Sequence, residues 1–167
     1  MKKNTTIKRA KVGAYKTVFK GTFFRIMQAP VILPSGTKKT FERVVIPPGV
    51  TILAIDNRKN ILLIREYRHN YKKHVWRLPN GKIDPDEKPL AAAHRELREE
   101  TGYRAKRMQL YHLPDVGLYM DWKRYAFLAQ DLVISPLPKD EDEDIIVVPT
   151  PIKKAFTMVK SGEISGW

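Results

Sequence analysis

Three glutamates in one short segment carry the strongest chemical signal in the sequence. Glu96, Glu99 and Glu100 are spaced i, i+3 and i+4, so on a helix their carboxylates project from one patch. Each like-charged pair costs a few tenths of a kcal/mol even when exposed. A hard divalent cation removes this repulsion, and Mg²⁺ prefers oxygen ligands. The pattern indicates a divalent-metal site, although glutamate-rich surface helices that bind nothing are also common.

The segment that carries these acids has the signals of a helix over residues 89–101. Pro89 suits a first helical position, and Gly102 is a natural stop. Leu90, Ala93 and Leu97 recur at i, i+3 and i+7, which predicts an apolar stripe that docks on a sheet.

The composition excludes several classes of protein. The chain has 167 residues, the length of one ordinary domain, and 43% are apolar, which excludes wholesale disorder. It has no cysteine, which excludes a disulfide scaffold, a zinc–thiolate site and a cysteine nucleophile. No apolar run approaches the roughly 18 residues of a membrane span. No apolar stretch follows Lys2 and Lys3, so we expect no secretory signal. We expect a cytoplasmic protein with no membrane partner.

Basic residues are concentrated in the N-terminal third. The formal net charge is +13, and residues 1–50 contribute eleven Lys or Arg against a single acid, Glu42. Such a field favours polyanions, which include phosphorylated small molecules, nucleic acid and anionic surfaces. A solvated basic face without a partner is the alternative.

Strand and turn signals surround the helix. Residues 17–27 are predicted to form a strand that pairs with residues 40–46 across the turn at Pro34-Ser35-Gly36. Residues 50–55 and 61–64 form a second predicted hairpin around residues 56–60. Further strands are predicted at residues 75–78, 108–113, 125–132 and 145–148, and a last helix at 151–160.

This order of elements predicts an α/β protein, an α/β/α sandwich around a mixed β-sheet with an N-terminal β-hairpin. Residues 47–49, Pro-Pro-Gly, mark the seam. Residues 1–46 would form the basic N-terminal segment and hairpin, and residues 47–167 the main domain.

The spacing around the glutamates resembles the Nudix box, G-x5-E-x7-R-E-U-x-E-E-x-G-U, where U is apolar or aromatic. Every fixed position is matched, over 23 residues, by Gly81, Glu87, Arg95-Glu96-Leu97, Glu99-Glu100 and Gly102-Tyr103. Nine positions with defined gaps rarely coincide by chance. The resemblance implies a hydrolase that cleaves a nucleoside diphosphate linked to another group, with a loop–helix–loop that holds metal ions.

The metal ligands that the resemblance implies come from this segment. Glu96 and Glu100 are implied as the principal Mg²⁺ ligands, and Glu99 as a ligand or a water-bridged partner. The backbone carbonyl of Asn80, just before Gly81, is implied as a further ligand. Mn²⁺ is the alternative ion.

The resemblance also implies supporting and catalytic roles. Arg95 and Glu87 would form an orienting pair that fixes the geometry of the ligands, with Gly81 in the same supporting loop. Arg95, Glu99 and Glu100 are implied to take part in catalysis. Bound metal would neutralise the pyrophosphate and lower the pKa of a water, and a carboxylate would complete proton removal.

Two flanking stretches resemble the ADP-ribose pyrophosphatase branch of the family. Glu66-Tyr67-Arg68 and then residues 76–81, Trp-Arg-Leu-Pro-Asn-Gly, are similar to the branch's Q-Y-R … W-E-L-P-A-G. Position 77 is Arg where the branch usually has Glu, and Asn80 replaces the usual Ala. Arg68 is predicted to bind a substrate phosphate, which suits its bidentate guanidinium, and Arg43 is a second candidate.

An acidic loop near the end of the chain resembles a second part of this branch. Residues 140–144, Asp-Glu-Asp-Glu-Asp, match the late loop that supplies a glutamate to the metals and to catalysis. That comparison favours Glu143, with Glu141 as the competitor. As an isolated charge run, the loop would be read as solvated.

The sequence therefore predicts a Mg²⁺-dependent hydrolase of ADP-ribose or a related nucleoside diphosphate sugar. Resemblance to the branch suggests that the protein is a homodimer. An RNA 5′-end or nucleoside triphosphate pyrophosphohydrolase is the first alternative, because basic residues suit nucleic acid, but no RNA-binding motif favours it. A catalytically dead nucleotide-binding regulator is the second. It is disfavoured because all three glutamates are present.

Overall fold

The Pro47–Pro48 step separates two units of the chain. Contacts group Met1–Pro47 with Asp115–Lys123 as an N-terminal unit, and Pro48–Pro114 with Arg124–Trp167 as a C-terminal unit. This computed structural model describes residues 9–112, 117, 119–138 and 144–164. Within those residues no helix has the length and apolar character that crossing a membrane requires.

The elements follow one another in this order: β1 (Lys11–Val12), β2 (Lys16–Lys20), β3 (Arg25–Ile32), β4 (Lys38–Val45), β5 (Gly49–Ala54), β6 (Asn60–Arg68), β7 (Lys73–Arg77), β8 (Asn80–Lys82), α1 (Pro89–Thr101), β9 (Tyr103–His112), β10 (Met120–Asp121), β11 (Arg124–Ile134), β12 (Ile145–Pro151) and α2 (Ile152–Lys160).

The N-terminal unit is a sheet built around the β3–β4 hairpin. These strands pair antiparallel across the predicted turn, where Gly36 has a φ of 86°. β1 and β2 pair antiparallel with β3, and β10 runs parallel to β4. The prediction of one strand over residues 17–27 was wrong. The chain turns between β2 and β3, where the Gly21 N–H donates to the Phe24 carbonyl at 2.9 Å.

The C-terminal unit contains the predicted mixed β-structure, divided between two sheets. One sheet has the order β8-β5-β11-β9, in which β11 runs parallel to β5 and antiparallel to β9. The other is antiparallel, with the order β12-β6-β7. The predicted α/β class is confirmed.

The predicted hairpin of β5 with β6 was wrong, because these consecutive strands belong to different sheets. A single bridge, Ile55 to Ile61, joins their ends. Residues 61–64 of β6 are all buried, as expected for a strand covered on both faces. The turn at Asp56 therefore carries the chain from one sheet to the other.

Each helix packs on a different set of strands. Ala92, Ala93 and Leu97 of α1 belong to the cluster that includes Ile52 and Phe127 of the four-stranded sheet. α2 packs against β6 and β12. The predicted docking of Leu90 was wrong, since this residue is 48% exposed. The inward face of α1 includes Glu96 and Glu100 instead.

Asp56 organises the turn between the two sheets. Its Oδ1 accepts from the N–H groups of Arg58 at 2.9 Å and Asn60 at 2.7 Å, and its Oδ2 accepts from Asn60 Nδ2 at 3.0 Å. Desolvation raises the pKa of Asp56, but the hydrogen bonds from Asn60 and Arg58 outweigh it, so the pKa lies below the ordinary value of an aspartate.

We expect Asp56→Ala to lower the free energy of unfolding by about 1 kcal/mol at pH 7, because it removes the acceptor of these bonds. A lowered folded-state pKa gives stability that is present above the unfolded-state pKa and lost as pH falls through the folded-state value. Urea unfolding at pH 7 and pH 3 should show the difference from wild type shrinking at pH 3. Asp56→Asn keeps an acceptor without the titration and serves as the control. A deficit for Asp56→Ala that is equal at both pH values would contradict this account.

Candidate metal and catalytic site

Helix α1 places the three predicted glutamates on one turn beside strand β8. The helix spans Pro89–Thr101 and ends at Gly102, whose φ is 76° and whose N–H donates to the Arg98 carbonyl. Glu96 and Glu100 are buried, with 8% and 2% of their surface exposed. Two acids buried on one helical turn require compensation, because desolvation disfavours their charged forms.

Arg95 supplies much of that compensation. Its Nε and Nη2 donate to the two carboxylate oxygens of Glu87, at 3.1 and 2.9 Å. Its Nη1 donates to Glu96 Oε1 at 2.8 Å and to Glu99 Oε2 at 2.9 Å. Nη2 also donates to the Lys82 carbonyl at 2.9 Å. One planar guanidinium therefore joins the loop before α1 to two carboxylates of the helix.

These contacts shift the pKa values of both partners of the bidentate pair. The side-chain hydrogen bond from Arg95 holds the pKa of Glu87 below its usual value, against the effect of desolvation. Hydrogen bonding to Glu87, supported by the charge of Glu96, raises the pKa of Arg95. Both groups are therefore charged at neutral pH.

Gly81 allows the loop to lie directly against Glu96. A Cβ at this position would overlap the Glu96 carboxylate, so the constraint is close approach rather than an unusual φ. Gly81 lies in β8, opposite Val50 of β5. The sheet thus fixes the loop, and the loop leaves room for one buried carboxylate.

Asn80 joins the loop to the second buried glutamate. Its backbone N–H donates to Glu100 Oε2 at 2.7 Å. Its side chain also bonds within the loop, because Nδ2 donates to the Leu78 carbonyl at 2.6 Å and Oδ1 accepts from Arg77. The residue predicted from the resemblance as a carbonyl ligand is therefore held by three hydrogen bonds.

The predicted phosphate-binding arginines lie in different units. Arg68 belongs to the C-terminal unit and pairs with Glu66 at 3.1 Å. Arg43 belongs to the N-terminal unit, where it pairs with Asp121 at 3.2 Å and stacks over the Tyr15 ring. Glu143 and its competitor Glu141 lie outside the described residues.

Sequence reasoning missed the roles of Glu66 and Arg77 in this site. Arg77 donates to Glu66 and to the Asn80 side chain, although the sequence marked position 77 only as a departure from the branch. The available signal was the pair of opposite charges at Glu66 and Arg77. This signal could not be used before the pairing of β6 with β7 was known.

The oxygen donors of the site suit a hard divalent cation. Hydrogen bonds from Arg95 set the directions of the Glu96 and Glu99 carboxylates. All three acids offer carboxylate oxygens, which Mg²⁺ and Mn²⁺ prefer. Across the described ranges, no three His, Asp or Glu side chains are grouped as a metal centre. Glu96 and Glu99 point to Arg95 instead, and Glu100 accepts from Asn80. The type of donor atom fits the metal, and in this structure Arg95 and the Asn80 N–H hold these oxygens.

Comparison with known proteins identifies the family. The NUDIX domain profile matches residues 45–160, which includes the whole loop–helix–loop. The chain belongs to the Nudix family. It is a Nudix hydrolase, as the sequence predicted, and members of this family generally use divalent metals.

Relatives of this Nudix hydrolase support the predicted branch. The chain is 35% identical over 153 residues to an ADP-ribose pyrophosphatase of Mycobacterium tuberculosis, covering 89% of this chain and 74% of that one. It is 30% identical over 157 residues to an ADP-ribose pyrophosphatase of Bacillus subtilis, covering 90% and 83%. A crystal structure of an ADP compounds hydrolase matches with a TM-score of 0.83 and 25% identity, over 96% of this chain and 88% of that one. The resemblance to an ADP-ribose pyrophosphatase is confirmed.

A shorter match points to another activity in the same family. Over 66 residues the chain is 60% identical to an RNA pyrophosphohydrolase of Bartonella tribocorum. This match covers 40% of the chain and 34% of that relative.

We expect Gly81→Ala to lower kcat at least tenfold, because the added methyl group must displace the buried Glu96 carboxylate. Gly36→Ala is the matched control. Its Cβ would meet nothing within 4 Å, but its φ of 86° makes the change strained, so it should cost about 1 kcal/mol of stability and leave kcat unchanged. Steady-state kinetics and thermal unfolding of both variants separate the two effects. Full activity in Gly81→Ala would show that Glu96 can move freely.

Proposed function

We propose that the protein hydrolyses the diphosphate bond of ADP-ribose or a related nucleoside diphosphate sugar, giving a nucleoside monophosphate and a sugar phosphate. One observation carries the proposal. Glu96, Glu99 and Glu100 lie on a single turn of α1 against the Gly81 loop, in a chain similar over about nine-tenths of its length to ADP-ribose pyrophosphatases.

The metal would be held by the carboxylates of Glu96, Glu99 and Glu100 and by the Asn80 carbonyl. Mg²⁺ is the expected ion, with Mn²⁺ as the alternative. When bound, it supplies charge neutralisation at the diphosphate and lowers the pKa of a water. Arg95 holds Glu96 and Glu99 in place from the side of Glu87.

The remaining steps are assigned to other side chains. Arg68, with 41% of its side chain exposed, is available to bind a phosphate of the substrate. Proton removal from the attacking water requires a carboxylate. We assign this step to Glu143 of the late acidic loop, with Glu141 as the alternative and Glu99 or Glu100 as the candidates within the box. Arg43 is proposed as a second substrate-binding residue.

Pyrophosphohydrolysis at an RNA 5′ end is the second candidate function. The basic residues of the N-terminal third and the short match to an RNA pyrophosphohydrolase favour it. The longer matches favour the nucleotide sugar. The homodimer stays a prediction, and nucleic-acid binding stays the alternative that the sequence does not favour.

A substrate panel tests the proposal directly. We expect the full chain to cleave ADP-ribose faster than UDP-glucose, GDP-mannose or 5′-triphosphorylated RNA, with activity abolished by EDTA and restored by Mg²⁺ or Mn²⁺. Phosphate-ester products are followed by chromatography. Cleavage of RNA alone would select the second candidate function. Binding of ADP-ribose without turnover of any substrate would indicate a regulator instead.

Glu100→Gln should lower kcat at least 10²-fold in the same assay, because it removes a charged oxygen donor while keeping the shape of the side chain. Glu163→Gln, at an exposed position three residues after the end of α2, is the matched control and should behave as wild type. Circular dichroism checks that both variants fold. Unchanged turnover in Glu100→Gln would remove Glu100 from the mechanism.

Arg95→Gln should lower metal-free stability by roughly 1–3 kcal/mol, because it leaves Glu87, Glu96 and Glu99 without their shared cation. Added Mg²⁺ should raise the Tm of this variant more than that of wild type, since a metal then provides compensation that Arg95 provides in the native chain. Thermal unfolding in EDTA and in Mg²⁺ measures both effects. Arg107→Gln, which breaks an exposed pair with Asp131, should change neither value by much. An identical metal-induced rise in Arg95→Gln and wild type would contradict this role.

A further inference from the structure

A continuous series of polar contacts links Arg68 to Glu100. Arg68 pairs with Glu66 at 3.1 Å, and Arg77 pairs with the same carboxylate. Arg77 also donates to Asn80 Oδ1, and the backbone N–H of Asn80 donates to Glu100 Oε2 at 2.7 Å. The series therefore links four elements, which are β6, β7, β8 and α1.

The central pair of the series is well shielded from water. The side chains of Glu66 and Arg77 are 13% and 15% exposed. In the β6–β7 register Glu66 lies opposite Val75 and Arg77 lies opposite Ile64. Glu66 and Arg77 are therefore diagonal neighbours on one face of the sheet. Removing Glu66 would leave the largely buried Arg77 guanidinium without its carboxylate partner, which is strongly unfavourable, whereas removing Arg77 would leave Glu66 paired with Arg68.

Arg77 acts on Asn80 through a contact that also orients the main chain. Its second guanidinium nitrogen donates to Asn80 Oδ1, while Asn80 Nδ2 donates to the Leu78 carbonyl at 2.6 Å. With both ends of its amide engaged, the Asn80 side chain cannot rotate without breaking a bond. The peptide whose N–H reaches Glu100 is fixed as a consequence.

The three residues depend on one another physically. An alanine at position 80 would offer no acceptor to Arg77, and a glutamine at position 66 would not neutralise its charge.

We propose that Glu66, Arg77 and Asn80 form one unit in which Arg77 is a positioning residue that holds the Asn80 peptide, and through it the Glu100 carboxylate. The inference rests on the proposed function for the roles of Glu100 and Arg68. Because Glu66 lies between two guanidinium groups, the Arg68–Glu66–Arg77 group keeps one net positive charge. Arg68 therefore retains its attraction for a phosphate while it is held in place.

The test compares Arg77→Gln, Asn80→Ala and the double variant. We expect each single change to lower kcat about tenfold and to weaken Mn²⁺ binding by a similar factor, with KM for ADP-ribose altered less than threefold. The double variant should be no worse than the poorer single variant, because both changes break one series of contacts. Electron paramagnetic resonance of Mn²⁺ reports metal binding without any substrate. It therefore tests the unit even if the proposed substrate is wrong.

Rescue separates coupling from simple loss of packing. In R77E the new carboxylate faces the Glu66 carboxylate and Asn80 Oδ1. The triple variant E66Q/R77E/N80A removes both repulsive contacts and should recover most of the metal affinity that R77E alone loses. Arg77→Lys cannot contact Glu66 and Asn80 with one planar fork, so its Mn²⁺ affinity should fall between those of wild type and Arg77→Gln. This conservative variant keeps the proposal testable if the other variants fail to fold. Arg65→Gln is the control and should leave Mn²⁺ affinity unchanged, because Arg65 lies next to Glu66 on β6 and contacts the Trp76 ring.

Two results would overturn the proposal. One is additivity of the Arg77→Gln and Asn80→Ala effects, which would mean that the residues act separately. The other is wild-type Mn²⁺ affinity in Arg77→Gln together with a large rise in KM, which would make Arg77 a substrate contact rather than a positioning residue.

Discussion

The repulsion among three carboxylates on one helical turn is the constraint that organises the C-terminal unit. Burying Glu96 and Glu100 is unfavourable unless positive charge and N–H donors are brought to them. Arg95 and the Asn80 N–H meet this need from within the chain. The loop must then lie close to the helix, and this closeness is the reason that Gly81 carries no side chain.

This arrangement gives Arg95 two roles that are usually separate. It balances negative charge when no metal is bound, and it fixes the directions of Glu96 and Glu99 by hydrogen bonding to Glu87 on the opposite side. A lysine could supply the charge but not the fork of donors. The site is therefore held together by the geometry of one guanidinium as much as by its charge.

The sequence predicted the helix and the clustering of its glutamates well, because their signals are local. Pro89, Gly102 and the glutamate spacing depend only on neighbours in the chain, and α1 has the predicted bounds. The strands were harder, because pairing is decided by distant residues. The strand predicted over residues 17–27 is two strands, and β5 and β6, which resemble a hairpin in sequence, belong to separate sheets. The exposure of Leu90 likewise reflects which face of α1 the sheet covers, and periodicity alone pointed to the wrong residue.

The parallel pairing of β5 with β11 has a consequence for how the protein is made. Thr51 lies opposite Ala126, so the centre of the four-stranded sheet joins segments far apart in the chain, and such contacts form slowly. Helix α1 precedes β11 in the chain, yet the sheet on which it docks is incomplete until β11 is in place. In any folding intermediate that lacks β11, the glutamates of α1 depend on Arg95, the neighbouring loop and solvent rather than on the finished sheet.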